Sequence, residues 1–321
     1  MPIRFTSPSL GGQRQAFLQR GEWELGLGYR HLYADDYFVG DRIDASQAPR
    51  GQPQIYDIHS IAASMAYALS DQVSVHLTVP FQTGTNSRVH PDGVRHVTSA
   101  TGIGDVSVMG RAWLLDPASH RFGNLALGLG VKAPTGDNAV KGDFGLATGT
   151  VQWPVLPGIQ LGDGGWGILL EAQGFHRLAE GLFAYLYGLY QLTPREKTNV
   201  TWTPTSPVLS VHDVYDARLG LAYAVWPRAG ISASLGARVD GVPVRDLIGG
   251  SEGYRQPGYV LFLDPGASAS WGKETVTVSV PVRLHARYEQ NVNDLRNGPG
   301  PRGNHGDLAA YLVFLGYARR F

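Results

Sequence analysis

Apolar side chains recur at every second position through long stretches of this chain. Residues 22–33 place Trp23, Leu25, Leu27, Tyr29, His31 and Tyr33 alternately with Glu22, Glu24, Gly26, Gly28 and Arg30. A period of two puts successive side chains on opposite faces of an extended backbone, so the segment reads as a strand with one apolar and one small or charged face. The same division runs through 73–83 (Val73, Val75, Leu77, Val79, Phe81 against Ser74, His76, Thr78, Gln82) and 124–134 (Leu125, Leu127, Leu129, Val131 against Ala126, Gly128, Gly130, Lys132). It returns in 229–241 with Ile231, Leu235 and Val239, and in 274–288 with Val276, Val278, Val280, Val282 and Leu284. A helix needs a period near 3.6, which these segments lack.

Length sharpens the reading. These segments are about twice the usual strand of a globular sheet and match the ten or so residues of a tilted membrane-crossing strand. The mean hydropathy of −0.13 and the lack of any apolar run near eighteen residues exclude a transmembrane helix, but not a barrel wall. Trp23, Tyr33, Trp166, Tyr215 and Tyr223 lie near strand ends, where an interfacial aromatic girdle requires them. Short turns at 70–72, 116–123, 179–181, 227–228 and 272–273 alternate with long Gly-, Pro- and Asp-rich connections at 34–55, 84–101, 135–164, 194–213, 242–257 and 289–307.

That alternation predicts twelve strands: 22–33, 56–69, 73–83, 102–115, 124–134, 165–178, 182–193, 214–226, 229–241, 258–271, 274–288 and 308–321. An even count leaves both chain ends on the short-turn side. Segment 143–153 is strand-like and is placed inside the third outer loop, as a small hairpin or folded inward. The expected fold is all-β, a single antiparallel up-and-down transmembrane β-barrel with long outer loops and short periplasmic turns. Residues 1–21 form an N-terminal segment, extended or periplasmic, and 22–321 form the barrel domain. The first 21 residues lack the apolar core of a secretory signal, so the export signal of such a barrel is expected to have been removed or truncated.

The formal net charge is +0, which gives no basic surface for nucleic acid. The absence of cysteine excludes disulfides and thiolate sites. With apolar faces toward lipid, Glu24, Arg30, Asp105, Arg111, Lys132, Glu171, Arg177, Asp216, Arg218, Arg238, Asp240, Arg283 and Arg287 point into the lumen. They would cross-link the interior as ion pairs or tune a polar path. Phe144, Trp153 and Trp166 are candidates for an apolar contact with an aromatic solute near the outer mouth. No metal site and no cofactor are expected: the ten histidines show no HExxH spacing, and His90 and His96 share a loop without further ligand spacing. Asp35, Asp36, Asp41, Asp44, Asp137 and Asp143 are outer-loop acids, expected to be solvated, though able to bridge lipopolysaccharide through divalent ions. No GxSxG string occurs, and the His-x-Ser-Asn-Gly string of the twelve-stranded outer-membrane phospholipases is also missing, so no enzymatic activity is expected.

Residues 102–115 (GIGDVSVMGRAWLL) and 123–137 (GNLALGLGVKAPTGD) resemble the outer-membrane transporter family named after the meta-pathway of phenol degradation. That pattern is a strand opening with Gly-x-Gly-Asp, a short turn, and a Gly-rich strand ending in Lys-x-Pro-Thr-Gly. The closing strand from Leu308 to the terminal Phe321 resembles those of bacterial outer-membrane barrels, where it is the signal read by the insertion machinery. The resemblance implies an outer-membrane location, contact with outer-membrane lipid and lipopolysaccharide, and passage of small aromatic or hydrophobic solutes. A closed-lumen barrel acting structurally or adhesively through its outer loops is the alternative.

Overall fold

Alternation at this length has one stable outcome when the sheet closes on itself: one face packs inward and the other meets lipid, with no unpaired edge. A computed structural model of the chain shows this closure and describes residues 17–48, 51–201, 207–297 and 304–321. Residues 1–16 of the expected N-terminal segment lie outside that set.

In chain order the strands are β1 (Trp23–Val39), β2 (Arg42–Ile43), β3 (Ile55–Ala68), β4 (Val73–Val89), β5 (Arg95–Ile103), β6 (Ser107–Trp113) and β7 (Gly123–Lys132). There follow β8 (Lys141–Leu146), β9 (Gly149–Pro154), β10 (Gly167–Ala179), β11 (Leu182–Leu192), β12 (Lys197–Thr201) and β13 (Val208–Ser210). The remainder are β14 (Val214–Trp226), β15 (Ile231–Val242), β16 (Gly258–Trp271), β17 (Glu274–Ser279), β18 (Val282–Tyr288), a short helix α1 (Val292–Asn297) and β19 (His305–Arg320). The wall has twelve antiparallel staves, because β5 with β6 make one and β17 with β18 another. The strand β19 pairs back onto β1 from Glu24↔Arg320 to Val39↔His305 and seals the barrel. The amide of Phe321 donates to the Trp23 carbonyl at 2.9 Å and extends the seam to the last residue.

All twelve expected wall strands are present; two expected extents change, and the hairpin expected in the third outer loop is found. First, the stretch 84–101 is mostly strand: β4 and β5 continue as a hairpin from Phe81↔Ile103 to Val89↔Arg95. Of its outward residues Thr83, Thr85, Ser99 and Thr101 are polar and Val97 is an exposed apolar exception, so it carries the wall beyond the continuous apolar band. Second, the staves expected at 102–115 and 274–288 are broken. Pro80 and Pro265 face the breaks and Pro281 lies in one, and a proline gives no N–H to the ladder. The freed carbonyls of Pro80, Pro265 and Pro281 accept instead from Gly104, Val280 and Leu312. The stretch 143–153 belongs to a separate hairpin, β8–β9, after which 155–162 enters the barrel.

The outer face exposes Leu25, Leu27, Leu127, Leu129, Val131, Leu219, Leu221, Leu235 and Leu315. Trp23, Trp226 and Trp271 stand exposed toward its short-turn end, as an interfacial girdle does. No helix among the described residues is long or apolar enough to cross a membrane; the crossing elements are strands.

Candidate permeation path through the barrel

The inward face divides into three zones. At the short-turn end Arg320 donates through Nε to Glu24 at 2.9 Å and through Nη1 to the Phe17 carbonyl at 2.9 Å. Phe17 thereby lies inside the mouth, edge-on to Trp113 (centroids 4.9 Å apart) and 5.7 Å from Phe175.

Across the middle runs a set of buried ion pairs. Arg111 grips Glu171 with two bonds of 2.7 and 3.1 Å. Arg218 donates to Asp264 at 2.7 Å, and Ser279 donates to the other oxygen of the same carboxylate. Arg238 bonds Asp240 at 2.8 Å and Asp216 at 3.2 Å while its guanidinium covers Phe314 at 4.7 Å. Arg30, 2 % exposed, donates to Ser60 at 3.3 Å. Charges this deep are held only because partners replace water, so each pair is costly to half-remove.

Next to them, the two stretches that carried the family resemblance meet. Lys132 donates to Asp105 (2.9 Å), Asp163 (2.6 Å) and the Gly165 carbonyl (2.7 Å). Asp105 also accepts from the amides of Gly136 and Asp163. Thr135 donates to the Gly104 carbonyl at 2.8 Å and accepts from the Val106 amide. Gly136 and Gly162 approach so closely that a Cβ on either would strike the other's backbone. These residues therefore tie the inward segment 155–165 to the break in the wall between β5 and β6.

The outer half of the lumen is apolar, which the alternation concealed. Leu32, Ile58, Phe262, Leu312 and Phe314 project inward from the wall, and Val155, Ile159 and Leu161 of the inward segment pack on them. Beside this cluster a cavity of about 230 Å³ is lined by Leu32, Ile58, Leu156, Val260, Phe262 and Leu312 on its apolar side and by Gln54, Tyr56, Tyr288 and Asp307 on its polar side. Asp307 accepts from the Gln54 amide at 3.1 Å with Oδ1. Its buried Oδ2 and the buried Oε1 of Gln54 have no hydrogen-bond partner among the described residues. Over the mouth, Asp213 accepts from the Thr193 and Leu247 amides and the Tyr190 hydroxyl at 2.7, 3.0 and 3.0 Å, and its own amide donates to Asp246. Arg255 closes that network onto Asp246 and Ser210.

Of the expected lumen residues, Glu24, Arg30, Asp105, Arg111, Lys132, Glu171, Asp216, Arg218, Arg238 and Asp240 are brought inside, Arg30 on Ser60 and the others in ion pairs. Arg283 is also inside, bound to Asp36 and to the carbonyls of Leu308 and Ala309. Two are not. Arg177 is exposed at the short-turn rim, its guanidinium 3.4 Å from the Phe122 ring centre. Arg287 is turned outward beside Glu289 because a bulge between Phe262↔Arg283 and Leu261↔His285 reverses the alternation, sending Ala286 and Tyr288 inward. The loop aromatics do not form one contact surface either: Phe144 is buried against His90 (4.9 Å) and under Arg88 (5.4 Å), Trp153 is half-buried, and Trp166 is 60 % exposed. Asp264, Asp163 and the apolar lumen residues are not among the expected site residues, and Asp36, expected as a solvated outer-loop acid, instead pairs with Arg283. Asp264 and Phe262 share a parity in β16 that the inward face required, which was the available signal.

No protein-family profile matches the chain, and no curated protein matches it either. Among solved structures it is similar to the COG4313 outer membrane channel from Pseudomonas putida F1, at 16 % identity and TM-score 0.66 over 99 % of this chain and 100 % of that one. It is also similar to the translocator domain of the autotransporter NalP from Neisseria meningitidis, at 11 % identity and TM-score 0.50 over 96 % and 91 %. A monoaromatic hydrocarbon channel, CymD, aligns at 12 % identity and TM-score 0.46 over 95 % and 89 %. The fold is that of outer-membrane β-barrels.

Proposed function

We propose that the protein is an outer-membrane channel for small solutes with an apolar, aromatic-sized body and at least one hydrogen-bond donor. The observation that carries this reading is the cavity in the outer lumen, apolar on one side, with the donor-less Gln54 and Asp307 oxygens on the other. A buried acceptor without a donor is costly, and a hydroxyl- or amino-bearing ligand supplies what it lacks. A purely water-filled porin would have little use for Leu32, Ile58, Phe262 and Leu312 inside its wall. The likeness to an outer membrane channel agrees with this reading. In the same reading, lipid and lipopolysaccharide surround the wall, and the strand ending in Phe321 is what the insertion machinery recognises.

The test is conductance of the refolded protein in a planar lipid bilayer with phenol and with its methyl ether, anisole. Unitary currents blocked more strongly by phenol support the reading, and Asp307→Leu should abolish the difference between the two. Equal block by both solutes would remove the donor requirement. The second reading, a closed structural barrel, is favoured by the Phe17–Trp113–Phe175 cluster and the salt-bridged middle; insertion without current would select it.

A further inference from the structure

On the lipid side of the wall, the apolar face gives way to polar residues at one level. Tyr29, Ile61, Phe81 and Ile103 stand at one level on β1, β3, β4 and β5, and the next outward residues are the polar His31, His59, Thr83 and Thr101. At that level three metal-competent donors converge. His31 Nε2 lies 2.8 Å from Asp57 Oδ1, and His59 Nε2 lies 3.4 Å from the same oxygen. The two imidazoles stack at 4.6 Å with planes 9° apart. The remaining nitrogen of His59, Nδ1, is hydrogen-bonded to the Tyr29 hydroxyl at 2.7 Å.

We infer that His31, Asp57 and His59 form a binding site for a divalent transition-metal ion, Zn²⁺ by preference, on the outward face of the barrel. A tetrahedral zinc with bonds of ~2.0–2.1 Å separates its donors by roughly 3.3–3.4 Å. The observed separations to Asp57 bracket that spacing, and an ion would bind once the two stacked rings rotate so that both Nε2 lone pairs converge on it. Tyr29 does for His59 what an outer-shell partner does in zinc sites: it occupies Nδ1 and leaves Nε2 for the metal. Two imidazoles and one carboxylate select zinc or its neighbours over Ca²⁺ and Mg²⁺, which take oxygen ligands. All three residues are partly exposed, leaving the fourth position of the ion accessible from the membrane interface. The ring pair also has a plain structural use, since Asp57 satisfies both histidines without an ion. The distinguishing property is stoichiometric metal uptake.

The test is isothermal titration of the detergent-refolded, full-length protein with Zn²⁺ at pH 7.5 in millimolar Ca²⁺ and Mg²⁺, with intact folding checked by heat-modifiable gel migration. One equivalent should bind, and a Co²⁺ titration should give the visible absorption of a tetrahedral ion. Tyr29→Phe should weaken binding about tenfold, and the His31→Ala/His59→Ala pair should lose the equivalent while remaining heat-modifiable. Absence of saturable uptake, or uptake surviving in the double variant, would overturn the assignment; the second outcome would place the ion on other histidines.

Discussion

Individual charges inside this barrel depend on their partners more than on their own chemistry. Arg238 bridges Asp216 and Asp240 in a fully buried setting, so removing the cation strands two carboxylates. Arg238→Met should therefore destabilise the barrel by about 3–5 kcal/mol, read from urea unfolding in micelles, and a wild-type midpoint would show that the pair is solvated. Arg238→Lys should recover only part of the loss, because an ammonium cannot reproduce the flat, multiply bonded geometry. Lys132 is different in consequence: one of its three acceptors, Asp105, belongs to the wall, and the other two, Asp163 and the Gly165 carbonyl, belong to the inward segment. Lys132→Met is expected to release 155–165 before it unfolds the wall. The measurement is limited proteolysis of the folded protein, with cleavage near 155–165 appearing while heat-modifiability persists.

Among the elements, the β8–β9 hairpin depends on a histidine. The Gly145 amide donates to His90 Nδ1 at 3.0 Å, and Phe144 packs against the same ring. Burial, helped by Arg88 and His96, lowers the pKa of His90 from 6.5 to about 4. A protonated Nδ1 cannot accept from Gly145, so only the neutral ring supports docking. The undocked hairpin, with an ordinary histidine, takes up a proton below about pH 6.5. Docking is therefore fully supported above that pH and weakens as pH falls towards 4, by roughly tenfold per unit. Hydrogen exchange at the Gly145 amide should accelerate over that window in the wild type, and His90→Gln should flatten the dependence. The expected hairpin at 143–153 was legible because period-two alternation is local; its docking partner was not, since His90 is 55 residues away.

At the scale of the whole molecule, parts of the chain pack into the barrel at both ends. Phe17 packs at the short-turn end, and the segment 155–165 and the Asp213–Asp246–Arg255 network lie toward the outer end. Removing residues 139–160 should raise single-channel conductance several-fold, and Phe17→Ala should add a smaller increase at the opposite mouth. If both changes leave the current at the wild-type level, the constriction lies in the salt-bridged middle. Deleting Phe321 removes the last hydrogen bond of the β1–β19 seam and should slow assembly more than it lowers the stability of molecules already closed.

Alternation, strand length and the order of short and long connections are local properties, and by themselves they determined twelve strands, closure, and which face of each strand meets lipid. The polar partners of that inward face were half visible: Glu171 and Arg111 alternate correctly in their own strands, yet nothing along the chain says that they meet. Only the tertiary structure decided that pairing, because partners such as Arg218 and Asp264 lie two strands apart. It also decided where parity fails, since the bulge that turns Arg287 outward arises from the mismatch of two neighbouring strands. The apolar outer lumen is likewise a tertiary product. Leu312 and Phe314 look like ordinary core residues in the chain, and they become a lumen surface only because the sheet closes and the inward loop supplies a second wall.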